Sequence, residues 1–126
     1  MSVVDSSGWI EFFLDGPNAE EFQRALRQSD ELIVPTIVLV EVRRWALSHG
    51  RHDEVDSITT AMGRGQTVPL NASLAIAASE LGIRHRLPLA DSIVYATAQS
   101  RGIEVWTQDR DFEGLPGVRY VAKPAG

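Results

Sequence analysis

The strongest constraint on this chain is a repeated alternation. Short apolar runs are separated by longer segments with helical spacing, from one end of the sequence to the other. Ser2-Val3-Val4, Leu32-Ile33-Val34, Glu104-Val105-Trp106-Thr107 and Val118-Arg119-Tyr120-Val121 read as strands, and Thr67-Val68 as a short strand or turn. Between them, helices are expected over the segment after Ser6-Ser7 up to Gly16-Pro17, and from Asn18 to Gln28. Further helices are expected from Pro35-Thr36 to Leu47, from Asp53 to Met62, from Asn71 to Leu81 with Gly82 as the stop, and from Pro88 to Ser100 with Gly102 as the stop. Strands that alternate with helices make a parallel sheet covered on its faces. The predicted fold is a three-layer α/β/α sandwich with a mostly parallel central sheet, in a single domain over residues 1–126. No repeat, low-complexity tract or linker divides it.

In such sheets functional groups collect beyond the C-terminal ends of the strands. Asp5 follows the first strand and Asp109 follows the Trp106-Thr107 strand, so both fall at that edge. Glu41 interrupts Ile37-Val38-Leu39-Val40-Glu41-Val42, the most apolar tract of the chain. A carboxylate on a buried helix face is costly unless it is paired or ligates a metal. Asp91 sits in the first turn of Leu89-Ala90-Asp91-Ser92-Ile93-Val94-Tyr95-Ala96, a helix apolar on nearly every face. Each acid also has a plainer explanation. Asp5 and Asp109 suit caps and turns, Asp91 favours the helix dipole, and Glu41 faces solvent or pairs with Arg43 or Arg44.

Taken together, four acids at element ends or in apolar contexts point to one cluster. Carboxylates brought together repel, and divalent cations relieve that repulsion. Oxygen-only ligands suit Mg²⁺ or Mn²⁺, whereas zinc sites usually include His or Cys. Such ions activate water and stabilise charge on a phosphoryl group, which points to hydrolysis of a nucleic-acid backbone. The absence of cysteine excludes disulfides and thiolate chemistry. His49 and His52 read as surface residues, and His85 as part of a loop between Arg84 and Arg86. Trp9, Phe12, Phe13 and Trp45 read as core or dimer contacts, and Gly63-Arg64-Gly65 as a turn.

The formal net charge of −5 argues against binding nucleic acid by bulk attraction. Lys123 is the only lysine, so the basic side chains are otherwise arginines, which suit bidentate phosphate contacts. A local rim of Arg43, Arg44, Arg84, Arg86, Arg110 and Arg24 is expected near the acids, with Arg43 and Arg44 favoured for RNA contact because they follow Glu41. No stretch is long and apolar enough for a membrane span, and the N-terminus lacks a secretory pattern, so a cytoplasmic protein is expected.

The segments Val3-Val4-Asp5-Ser6-Ser7, Thr36 through Glu41-Val42, Leu89 through Ala98, and Thr107-Gln108-Asp109-Arg110-Asp111-Phe112 resemble those of PIN-domain ribonucleases, in particular the VapC-like toxins of toxin–antitoxin pairs. The resemblance implies that Asp5, Glu41, Asp91 and Asp109 form a metal site, with Asp5 and Asp91 as the most direct ligands. Asp111 is an alternative to Asp109, and Ser7 and Thr107 are supporting hydroxyls. It also implies a Mg²⁺- or Mn²⁺-dependent endoribonuclease acting on structured RNA such as transfer or ribosomal RNA, a cognate antitoxin as partner, and a homodimer. The competing expectations are a PIN-like module that binds RNA or protein without cutting, and a housekeeping PIN nuclease. A receiver domain would need a lysine near the phosphorylation site after a late strand, whereas Lys123, the only lysine, lies beyond the last predicted strand; a haloacid-dehalogenase-like phosphatase would need a second Asp where Ser7 stands.

Overall fold

A computed structural model of the chain describes residues 1–27 and 31–124. Among these residues five strands form one sheet in the order β3-β2-β1-β4-β5: β1 (Ser2–Val4), β2 (Leu32–Pro35), β3 (Gln66–Val68), β4 (Glu104–Thr107) and β5 (Val118–Tyr120). All four strand pairings are parallel, with Val3 lying between Ile33 and Val105. The central strands are the apolar ones, since they are covered on both faces. Val3, Val4 and all of β2 are buried, while the edge strands β3 and β5 carry exposed polar side chains.

Among the described residues six helices connect the strands: α1 (Ser6–Phe13), α2 (Ala19–Leu26), α3 (Thr36–Ser48), α4 (Val55–Met62), α5 (Ala72–His85) and α6 (Leu89–Arg101). The chain steps from β1 to β2 to β3, then returns through α5 and α6 to β4 on the other side of β1. Right-handed crossovers therefore put α1 to α4 on one face and α5 and α6 on the other, the layering expected from the alternation. The reversal makes β1 and β4 neighbours across a topological switch point, where a crevice opens at their C-terminal ends.

Several helices are held by local signals in the sequence. Asp5 caps α1 by accepting from the backbone N–H of Gly8, and Asn71 caps α5 by accepting from Leu74. α3 buries Val38, Val42 and Ala46, spaced by four, and leaves Val40 and Leu47 outside. Gly102, at φ 64°, closes α6 as expected. Phe22 and Phe112 are wholly buried on opposite sides of the chain's length, and truncating either would cost about 3–5 kcal/mol.

Several boundaries differ from the sequence reading. α5 does not stop at Gly82. It runs to His85, and Arg86 takes the left-handed conformation that ends it. Gly82 instead faces the Ser92 side chain, so its lack of a Cβ serves the packing of α5 on α6. His85 is thus in a helix, not a loop, half-buried and edge-to-face with Tyr95 at 5.5 Å. The segment at Asp53 is a short 3-10 turn (His52–Glu54), and α4 proper starts at Val55. The expected end of the second helix at Gln28 lies outside the described residues.

Candidate active site

Asp5 stands at the bottom of the crevice. It is 2% exposed, and both carboxylate oxygens are engaged. Oδ1 accepts from the Ser7 hydroxyl at 2.6 Å and from the Gly8 N–H at 3.1 Å, and Oδ2 accepts from the Thr107 hydroxyl at 2.7 Å. Gly8 can serve here because it has no side chain. A Cβ would come within 2.6 Å of Val4 Cγ1 and 2.7 Å of Phe22 Cδ1.

The two hydroxyls also organise the opposite strand end. Thr107 Oγ1 accepts from the Asp109 N–H at 2.9 Å, and Ser7 Oγ accepts from the Gln108 N–H at 3.2 Å. The loop after β4 is therefore bound to the loop after β1 through Asp5. Asp109 then caps a 3-10 turn (Arg110–Phe112), its Oδ1 accepting from the Asp111 N–H at 3.0 Å. Phe112 anchors that turn in the core.

This arrangement brings Asp109 and Asp111 to Asp91 at the start of α6. One carboxylate oxygen from each of Asp91, Asp109 and Asp111 lies within 4.8 Å of the others. Asp109 and Asp111 thus both reach the cluster, rather than one replacing the other. Asp5 and Glu41 lie outside this tight trio but within its field. Asp91 feels the charge of Asp109, Asp5, Glu41 and Asp111, and Glu41 feels that of Asp109.

The electrostatics follow from burial and crowding. The Asp5 carboxyl is pushed up to about 6, chiefly by burial, against the pull of its three hydrogen bonds. Asp91 is pushed up to about 7, first by burial and then by the four neighbouring acids. Among the described residues nothing donates a hydrogen bond to its carboxylate. Glu41 is also raised by burial, opposed by the Ser6 side chain and by Arg44. The sequence gives Ser6 no role of its own at the site. Its adjacency to Asp5 was visible, but its approach to α3 was not.

The donor set fits a hard divalent cation. It contains oxygen only, and among the described residues no histidine joins it. Three carboxylate oxygens within 4.8 Å of one another are close enough together for one such ion to engage all of them. The raised carboxyls point the same way, since a cation would relieve the penalty on the ionised cluster.

The arginines divide. Arg43 is half-buried, and its guanidinium donates to the Thr59 hydroxyl, bridging α3 to α4. Arg44 is exposed, and its charge acts on Glu41. Arg110 is exposed between Asp109 and Asp111. His49 and His52 are on the surface, and neither joins the trio. Among the described residues no helix is long and apolar enough to cross a membrane.

The sequence matches the PIN domain family over residues 2–118. No curated protein sequence matches it. Among solved structures, a toxin–antitoxin complex from Klebsiella pneumoniae contains a chain of the same fold at TM-score 0.82 and 23% identity, covering 94% of this chain and 96% of that one. The sarcin–ricin-loop-cleaving toxin VapC20 of Mycobacterium tuberculosis superposes at 0.76 with 19% identity, covering 94% and 99%. DNA-bound VapBC from Salmonella typhimurium gives 0.71 with 19% identity and 96% of each chain. At these identities the structural likeness establishes the fold; the family match spans nearly the whole sequence, and the chain belongs to the PIN-domain family.

Proposed function

We propose that this protein is a divalent-metal-dependent endoribonuclease and the toxin of a toxin–antitoxin pair. The observation that carries this reading is the meeting of Asp91, Asp109 and Asp111 above Asp5, at the switch point of a PIN-domain sheet. The solved relatives support the biological setting, because they include a toxin named for cleaving the sarcin–ricin loop and toxins in complex with antitoxins.

On this reading Asp91, Asp109 and Asp111, with Asp5 and Glu41, hold Mg²⁺ or Mn²⁺. The ion would activate water and offset charge on the phosphoryl group. The chain's own residues supply the rest. Ser7 and Thr107 fix the Asp5 carboxylate and the backbone of the Asp109 loop in one geometry, so the acids are preorganised. Glu41 is half-buried and its carboxyl is raised by burial, which makes it a better proton acceptor than an exposed glutamate. Arg44 and Arg110 are free on the rim to meet phosphates, whereas Arg43 reaches RNA only by giving up Thr59. These local cations offset a net charge of −5 where the substrate would lie. Structured RNA such as transfer or ribosomal RNA is the substrate class, a cognate antitoxin covers the acids, and the toxin works as a homodimer.

The test is incubation of purified protein with mixed structured RNA, in Mg²⁺ or Mn²⁺ against chelator, beside Asp91→Asn. Endonucleolytic cleavage that needs metal and disappears in the variant is the expected result. RNA that is bound but left intact with both metals, including RNA from cells expressing the protein, would make this a binding module instead. Expression alone is expected to arrest growth, and co-expression of the antitoxin to relieve it.

A further inference from the structure

Asn18 forgoes the bond that its place in the chain favours. It is the N-cap residue of α2, where an asparagine side chain usually accepts a hydrogen bond from the first turn of the helix and stabilises it. Its side chain makes no such bond. The amide Nδ2 instead donates to Gln108 Oε1 at 2.9 Å and to the Ala122 carbonyl oxygen at 3.1 Å, partners 90 and 104 residues away. A local preference has been overridden by a tertiary contact, and such exceptions gather at functional sites.

Three segments meet at this amide: the α1–α2 connection, the loop after β4 and the chain just beyond β5. Each is also held by a contact of its own. The Asn18 N–H donates to Glu11 Oε2 at 2.8 Å, and a side chain at Gly16 would occupy the place of that carboxylate. Val121 donates its N–H to the Thr107 carbonyl oxygen at 2.8 Å. Gln108 is 6% exposed, and its N–H donates to Ser7 Oγ at 3.2 Å. The residue immediately before Asp109 is therefore held twice, its backbone by Ser7 and its side chain by Asn18. A buried amide deprived of its partner is unfavourable, so without Asn18 the loop would shift to hydrate Gln108.

We propose that Asn18 is a positioning residue for the acidic cluster. By fixing Gln108 it sets where Asp109 and Asp111 stand relative to Asp91, although its side chain bonds to none of the three. The consequence for cation binding rests on the metal-site reading above; the placement of the loop does not. Acids that hold a cation depend on the groups that orient them, and loss of such a group lowers metal affinity by roughly tenfold or more.

The test compares Asn18→Leu, which keeps the size of the side chain without its donors, with Asn18→Ala. Asn71→Ala is the control, since it removes the cap of α5 and leaves this loop alone. Two quantities are measured on each protein: hydrogen exchange at the Gln108 and Asp109 N–H groups in chelator, and Mn²⁺ affinity by titration calorimetry. Both Asn18 variants are expected to speed exchange at those two amides roughly tenfold while the amides of β1 keep the parent's rates. Their Kd for Mn²⁺ should rise roughly tenfold. Asn71→Ala should change neither quantity. Gln108→Met, which also keeps size without the amide, should act like Asn18→Leu, and the two combined should add little to either alone, because both remove the same contact. Exchange at Gln108 and Asp109 as slow in Asn18→Leu as in the control, a Mn²⁺ affinity equal to the parent's, or effects of the two substitutions that multiply would overturn the proposal. A parent that binds no Mn²⁺ would refute the metal-site reading instead, and the exchange rates then decide the role of Asn18 without it.

Discussion

Replacing Asp91 by Asn is expected to stabilise the metal-free protein. The carboxyl is pushed from 3.8 to about 7 by burial and by Asp109, Asp5, Glu41 and Asp111. A fully dry group raised that far would cost about 4 kcal/mol when ionised at pH 8. Asp91 is only half-buried, so solvent screening brings the figure to roughly 1–2 kcal/mol. Loss of a negative charge in the first turn of α6 works against the gain by about 0.3–1 kcal/mol, which favours the lower end. For a chain of this length the net effect is a rise in Tm of about 2–6 °C. The sign with pH follows from linkage. An acid whose folded pKa is raised binds more protons folded than unfolded between the two values, so the parent loses stability as pH rises from about 4 towards 7. The gap between variant and parent should therefore be widest above pH 7 and close near pH 4. Thermal unfolding in chelator across that range is the assay. Saturating Mg²⁺ should reverse the order, since metal at a hundred times its Kd adds about 2.7 kcal/mol to the parent and less to a variant lacking a ligand. A variant no more stable than the parent at pH 8, or a gap unchanged at pH 4, would refute the electrostatic account of the cluster.

Three further outcomes follow from the same contacts. Thr107→Val removes the donor to Asp5 Oδ2 and the acceptor for the Asp109 N–H; urea unfolding should show a loss of about 1–3 kcal/mol, and metal-dependent cleavage should fall with it. Gly8→Ala drives a methyl into Val4 and Phe22, so it should destabilise by about 1–3 kcal/mol and displace the Asp5 cap; a Tm equal to the parent's would show that α1 shifts freely. Arg44→Ala should leave Tm within the range of an ordinary surface change but raise the KM for RNA more than it lowers kcat, and should flatten the salt dependence of RNA binding by about one charge; an unchanged KM would remove Arg44 from the RNA path.

Much of this molecule is legible in local pattern. The apolar runs at Val3-Val4 and Leu32-Ile33-Val34 specify buried parallel strands, because only strands covered on both faces tolerate such sequences. Asp5 and Asn71 cap their helices, Pro88 precedes the first turn of α6 and Gly102 ends it, all signals that need only neighbouring residues. The acids at strand ends already point to one edge of the sheet. What the sequence could not determine is which groups meet, since periodicity acts over a few residues and the site closes over a hundred. Ser7 and Thr107 converge on Asp5 only because β1 and β4 are neighbours in the sheet. That pairing lets both Asp109 and Asp111 reach Asp91, where the sequence offered them as alternatives. Likewise Arg43 and Arg44 are adjacent in the chain, yet helical geometry turns one towards Thr59 and leaves the other open.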